Sequence, residues 1–409
     1  MTAGACAPPV TMIVLGDEIA FPVGGASSAY IGRLARAVVG AGGRSVVMCL
    51  DYSERGSSPQ NTVARGEERG VSFEYTTGDP VLPARPWNIS LGRARAALSL
   101  ASRLDAYCVP GHTVAVYYGR YPSVLARLRR LCRARAIPLV ASVVEWRLSF
   151  AGQTLAQRLG DRLFHRMLPS LDASIVISRF IERAMRDQLH ATHPILRVPL
   201  LAEPEGWRAV EAFVSSRPYA VFCADFDSYP EDAKLVIEAL ARVPELDLHL
   251  IGKAVSRREE LLALASRLGS AERVRLEPRF VPEPELRARY AGASVLLAPM
   301  RDDARSRARF PSKIADYLLA GRVVVSSAVG EVGEYLTHRD SALFCAPGDV
   351  DSLVAAVREA IGGPDREAIA LRGRRVAEQQ FDVAVQGPLL AAWLANLAAS
   401  KRQARSKYT

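Results

Sequence analysis

Two cations and a carboxylate stand within eight residues of one another in RFPSKIADYLLAG (309–321), at the point where a loop becomes an amphipathic segment. Arg309 and Lys313 fall near the expected helix start, with Pro311 suited to the first turn. Asp316, three residues beyond Lys313, shares its face of such a helix. Positive side chains at a helix N-terminus can hold a diphosphate, and a carboxylate one turn on can accept hydrogen bonds from the vicinal hydroxyls of a ribose. The preceding LAPMRDDARSRA (297–308) adds Arg301, Arg305 and Arg307, which a simple surface Lys–Asp pair would not explain. Its adjacent aspartates read as loop residues, not as a metal set, and no metal is expected.

Three other stretches carry chemistry. SSAVGEVGEYL (326–336) places Gly330, whose backbone N–H can approach a ligand, before Glu331 and Glu334, carboxylates suited to sugar hydroxyls. FPVGGASSAY (21–30) sets Gly24 and Gly25 before a helix that Ser27 is expected to cap, an anion-binding turn that is not a nicotinamide fingerprint. VVEWRLSF (143–150) puts Glu145 beside Trp146 at a strand end, a place for hydroxyl binding or proton transfer, or for an ion pair with Arg147 or Arg120. Arg120 and Tyr121, after another apolar run, could face a substrate or simply solvent.

These residues need a scaffold, and the rest of the sequence describes one. Apolar runs of strand length alternate with helical segments throughout, the pattern of parallel sheets covered on both faces. Strands are expected at 11–16, 44–50, 71–75, 113–119, 138–145 and 173–179, and in a second series at 219–225, 247–252, 274–278, 294–300, 323–327 and 342–346. LLAEPEGWRAVEAFVSSRP (200–218) interrupts the alternation. The expected division is a Rossmann-like domain over 1–200, a linker at 201–218, a second such domain over 219–380, and a helix with a basic tail over 381–409 that packs back on the first. Ligands of such sheets bind beyond the carboxyl ends of the strands, where every candidate above lies.

The 409 residues, 49% hydrophobic, can build two cores. A net charge of +10 favours an anionic partner: nucleotide, anionic lipid or nucleic acid. The six cysteines (Cys6, Cys49, Cys108, Cys132, Cys223 and Cys345) have no ligand spacing and suit a reduced compartment. No run is read as approaching the ~20 apolar residues of a membrane span, so a soluble cytoplasmic protein is expected, able to rest on the inner face of a membrane. Basic stretches at 126–136 and 401–409 are the candidates for that contact.

FPSKIADYLLAGRVVVSSAVGEVGEYL, ALFCAPGDVDSLVAAVREAI and LRARYAGASVLLAPM together resemble the donor domain of family 4 glycosyltransferases, in the branch reading F-P-S-K. FPVGGASSAY and ASIVISRFIERAM agree more loosely with that family's first domain. The resemblance implies a GT-B architecture, two tandem Rossmann-like domains facing across a cleft, and retaining, metal-independent sugar transfer. The donor is a nucleotide-diphosphate sugar (UDP, GDP or TDP) taken as co-substrate, with no further cofactor, and the acceptor is a secondary metabolite, polysaccharide or lipid-linked saccharide. By position it assigns Arg309 and Lys313 to the leaving diphosphate and Asp316 to the ribose; on this reading domain closure brings Gly24 and Gly25 onto the donor phosphates, while Gly330, Glu331 and Glu334 keep their place as candidates for the donor sugar. The family's first donor-site glutamate falls on Ala308, its usual phosphate lysine on Glu231, and its usual His-Asp on Val144 and Glu145. Two other readings are a nucleotide-sugar 2-epimerase of the same architecture, which lacks a suitable histidine among these residues, and a non-catalytic basic module for membrane or nucleic acid.

Overall fold

In the computed structural model, which describes residues 9–17, 19–55, 59–150, 152–277 and 280–406, the chain forms two units. Cys6 and the end of the basic tail lie outside the described residues. The first unit spans Met1–Leu201 and takes back Val383–Thr409; the second is Ala202–Asp382.

The first unit runs β1 (Thr11–Gly16), α1 (Ala26–Gly40), β2 (Arg44–Cys49), β3 (Arg65–Glu68), β4 (Val71–Tyr75), α2 (Pro86–Tyr107), β5 (Thr113–Tyr118), α3 (Pro122–Ala134), β6 (Leu139–Val143), α4 (Leu155–Met167), β7 (Ala173–Val176), α5 (Arg179–Leu189) and β8 (Ile195–Arg197). The sheet order is β3-β4-β2-β1-β5-β6-β7-β8, parallel except for β3 against β4. Ile13, Val46, Val116, Val140 and Ile175 are fully buried, as expected of strands covered on both faces. From β1 the order runs outward through β2 on one side and β5 on the other, so the crevice between β1 and β5 is the switch point. Sequence reading missed β3 and β8: one is polar and antiparallel, the other three residues long.

The second unit runs β9 (Tyr219–Cys223), α6 (Pro230–Ala241), β10 (Asp247–Ile251), α7 (Arg258–Arg267), β11 (Val274–Glu277), α8 (Glu283–Gly292), β12 (Val295–Ala298), α9 (Ala304–Ala308), α10 (Ile314–Leu319), β13 (Val324–Ser326), α11 (Val332–Tyr335), β14 (Leu343–Phe344), α12 (Val350–Gly362) and α13 (Arg366–Val376). Its six parallel strands are ordered β11-β10-β9-β12-β13-β14, with the switch between β9 and β12. Phe222, Leu250, Leu297, Val325, Leu353 and Val357 meet in its core. The segment read as a linker packs here: Trp207 is buried and stacks on Tyr290, and Phe213 N–H donates to the Ala288 carbonyl at 2.9 Å.

The last helix, α14 (Val383–Ser406), returns to the first unit against α1 and β5. Gly387 permits that approach, because a Cβ there would lie 2.3 Å from the Ala37 carbonyl oxygen. Val383–Gln403 is long and apolar enough to cross a membrane by length and composition, which corrects the expectation that no run approached that size. Its Leu390, Leu394 and Ala398 are buried.

Candidate functional site

The switch point of the second sheet lies between the β9–α6 turn and the long exit from β12, and the arginine-rich loop occupies that exit. Tyr229, just before α6, receives two of its arginines: the guanidinium carbons of Arg309 and Arg305 lie 3.8 and 4.1 Å from its ring centre. Arg305 also donates to the Ser228 carbonyl at 3.0 Å. Arg309 Nη2 is 2.9 Å from Asp232 Oδ2, in a pair whose side chains are 17% and 6% exposed. Burial pushes the Asp232 carboxyl above its usual range, against the opposing pull of Arg309. Desolvation thus outweighs attraction there, as is common for buried ion pairs.

The other arginines are engaged as well. Arg307 pairs with Asp302 at 2.6 Å, and Arg301 reaches Glu231 at 3.5 Å. Asp303 caps α9 by accepting from Ser306 N–H at 2.7 Å, so both aspartates of the loop have local structural roles. Lys234, the cation nearest the family's phosphate-lysine position, is held by Glu231 at 3.0 Å and Glu260 at 2.6 Å.

Lys313 differs from them. Half-buried, it has no hydrogen-bond or ion-pair partner for its ammonium among the described residues. Pro311 lies before the helix instead of in its first turn, and α10 starts only after Lys313 and has six residues. Little helix dipole is available, so an anion here would be met chiefly by the Lys313 charge. Asp316, in the first turn of α10, is buried at 7% exposure. The next residue, Tyr317, accepts a hydrogen bond from Cys223 N–H at 2.8 Å, which ties α10 to the end of β9. Phe310 packs against Tyr335 and Phe381, fixing the start of the F-P-S-K segment in the core.

Beyond β13, Gly330 has φ +56°, and a Cβ on it would meet the Arg307 carbonyl oxygen at 2.7 Å. A side chain is excluded there on both counts, and the turn lies against α9. Glu331, next in sequence, is buried at 1% exposure, whereas Glu334 is exposed. Arg309, Lys313, Asp316, Gly330, Glu331 and Glu334 thus all follow the carboxyl ends of β12 and β13. Glu231 and Asp232, missed as partners of Arg301 and Arg309, are visible in the sequence as YPED but lie 70 and 77 residues away from those arginines.

The remaining candidates belong to the first unit. Gly25, not Ser27, is the N-cap of α1, and no side chain caps that end. Gly24 is half-buried and packed close to Ser28, whereas a Cβ on Gly25 would meet nothing within 4 Å. Ser27 Oγ instead accepts from Tyr118 Oη at 3.0 Å. Sequence reading also missed Asp17, at the exit of β1, which accepts a hydrogen bond from Tyr117 Oη. Gly119 leaves room for that carboxylate, since its Cβ would fall 2.3 Å from the Asp17 oxygens. Glu145 is 3.4 Å from Arg147 Nη1, and Nε of the same guanidinium donates to the buried Asp161 at 3.2 Å. Its neighbour Trp146 is buried edge-on against His165.

Residues 217–362, all in the second unit, match the family model described as Glycosyl transferases group 1. Over 94% of its length the chain resembles solved GT-B structures, and its fold is theirs. Sucrose-phosphate synthase from Thermosynechococcus elongatus superposes with a TM-score of 0.72 at 16% identity, covering 94% of this chain and 99% of that one. HepE from Anabaena, solved with UDP and glucose, gives 0.66 at 17% identity, with 94% and 99% coverage. The UDP-forming trehalose-phosphate synthase from Burkholderia xenovorans, solved with glucose-6-phosphate, gives 0.67 at 15% identity and the same coverage. No curated protein matches the chain in sequence.

Proposed function

We propose that the protein is a retaining glycosyltransferase that moves a sugar from a nucleotide-diphosphate donor, held by the second unit, to a hydroxyl of a saccharide or small-molecule acceptor held by the first. The observation that carries this reading is Lys313: a half-buried ammonium with no partner among the described residues, beyond the switch point of a sheet whose sequence matches group 1 glycosyltransferases. The bond from the anomeric carbon to the diphosphate oxygen breaks, and the acceptor oxygen bonds that carbon on the same face. The acceptor proton passes to the departing diphosphate. Such a transfer needs no protein nucleophile. It needs positive charge where negative charge grows, and Lys313 would supply it, with Asp316 holding the ribose.

Arg309 has a different part in this proposal. Already paired with Asp232 and stacked on Tyr229, it holds the loop in shape and meets the diphosphate only as far as Asp232 shares it. Glu331 and Gly330 would face the donor sugar, and the uncapped start of α1 at Gly24 and Gly25 would meet anionic groups. The cytoplasm, where nucleotide sugars are made, is the proposed compartment. Thermal denaturation with UDP, GDP, TDP and their sugars tests the reading, because a ligand that binds the native state raises Tm by mass action. At least one should raise it, and no shift with any would refute the proposal. Transfer should persist in chelator.

A further inference from the structure

Helix α4 of the first unit is apolar on two opposite faces. Its inner face buries Phe164, His165 and Asp161, the last held by Arg147 and Gln153. On the outer side Leu155, Leu159 and Leu163 are 74%, 55% and 53% exposed. Residues four apart advance by about 40° around a helix, so these leucines form one continuous ridge, roughly opposite Phe164 and Asp161. Arg158, Arg162 and Arg166 repeat at the same interval along one flank of the ridge, all exposed. The only carboxylate of α4 is the buried Asp161, so no acid of that helix offsets the row.

The surface continues onto α3, which packs beside α4 and contains no acidic residue. Its buried face is Leu125, Leu128 and Cys132, and its exposed side includes Arg129, Arg130 and Arg133. The helix itself is firmly built: Thr154 and Gln157 form a reciprocal capping box at its start. The exposed leucines therefore belong to a formed helix, where a water-facing surface would ordinarily be polar.

We propose that α4, with the basic side of α3, docks the protein on an anionic phospholipid bilayer. The leucine ridge enters the boundary between headgroups and acyl chains, and the arginines lay their stems beside it and pair with headgroup phosphates. Charge selects this occupant. Two copies of the same face would oppose arginine rows across a symmetric contact, and a nucleic acid would engage the arginines but leave the leucines in water. The surface lies outside the donor site, and the inference does not depend on the transfer reaction.

The test is co-sedimentation of the full chain with vesicles of phosphatidylcholine alone and of phosphatidylcholine mixed with phosphatidylglycerol. The wild type should bind the mixed vesicles, and bind less as salt rises. R158Q/R162Q/R166Q should lower partitioning on the order of a hundredfold, and L155S/L159S/L163S by more than about tenfold. Both variants change exposed side chains and should keep the wild-type circular dichroism and Tm. Failure of the wild type to bind anionic vesicles, or wild-type binding by either variant, would overturn the proposal. So would a leucine variant that dissociates a dimer in sedimentation while vesicle binding stays the same, or RNA binding that needs the arginines where vesicle binding does not.

Discussion

Two cations assigned together by the sequence pattern should respond differently to removal. Lys313→Ala deletes an ammonium with no protein partner among the described residues, so stability should change by no more than about 0.5 kcal/mol. Turnover should fall about 100- to 1,000-fold, the loss typical of one group that stabilises charge in the transition state, or about 3–4 kcal/mol. Arg309→Ala instead strands Asp232, 6% exposed, without its counter-ion at 2.9 Å, and removes the guanidinium from the Tyr229 ring. Breaking such a pair costs roughly 3–5 kcal/mol. The lower end is expected, because the Asp232 carboxyl already titrates above its usual range and can protonate. At about 2–4 °C per kcal/mol for a unit of this size, Tm should drop by about 6–12 °C. Arg309→Ala/Asp232→Ala should regain much of that stability, since no lone charge stays buried. The assays are thermal melts and kcat for sugar transfer on the same preparations. Equal Tm losses for Lys313→Ala and Arg309→Ala, or near wild-type turnover for Lys313→Ala, would refute the division of roles.

Other perturbations follow from the same geometry. His249, in β10, is stacked on Tyr219 with both ring nitrogens unpartnered among the described residues; burial, with Arg275 and Arg289 nearby, holds its pKa down to about 4 from 6.5. The native state favours neutral imidazole, so this stability is complete above pH 6.5 and falls as pH drops toward 4, by up to about 3 kcal/mol. His249→Phe should flatten that limb in urea melts taken across the range, and an unchanged limb would assign it to other groups. Gly330→Ala, at φ +56° and against the Arg307 carbonyl, should cost about 1–2 kcal/mol in conformation alone and weaken donor binding through the displaced turn, measured by denaturation and donor titration. Gly25→Ala has open space around its Cβ, so stability should fall only by the roughly 1 kcal/mol that alanine costs at an N-cap, while donor-dependent activity falls further if ligand approaches that backbone; activity that falls no more than stability would remove Gly25 from the site.

Much of this molecule is legible in one dimension. Strand-length apolar runs and helical periods are local, so the two parallel sheets, the core and the position of F-P-S-K after a strand could all be read from residues a few places apart. The short β3 and β8 escaped because a few polar or half-buried residues make no period. Helix boundaries shifted by small amounts that mattered chemically: α10 begins after Lys313, and Gly25 takes the cap read as Ser27.

Which charges are free was not legible at all. The sequence presents Arg301, Arg305, Arg307, Arg309 and Lys313 as one cationic cluster. The fold sets β9 beside β12, bringing the 225–232 turn against the loop, and acids and carbonyls there or within the loop engage the four arginines. An ion pair across 77 residues depends on strand order, which local periodicity does not encode. The same distinction holds on α4, where the spacing of leucines could equally mark a core face. Only packing of Phe164 and Asp161 inward decides that Leu155, Leu159 and Leu163 point to the outside, because a helix has one inner side and tertiary contacts choose it.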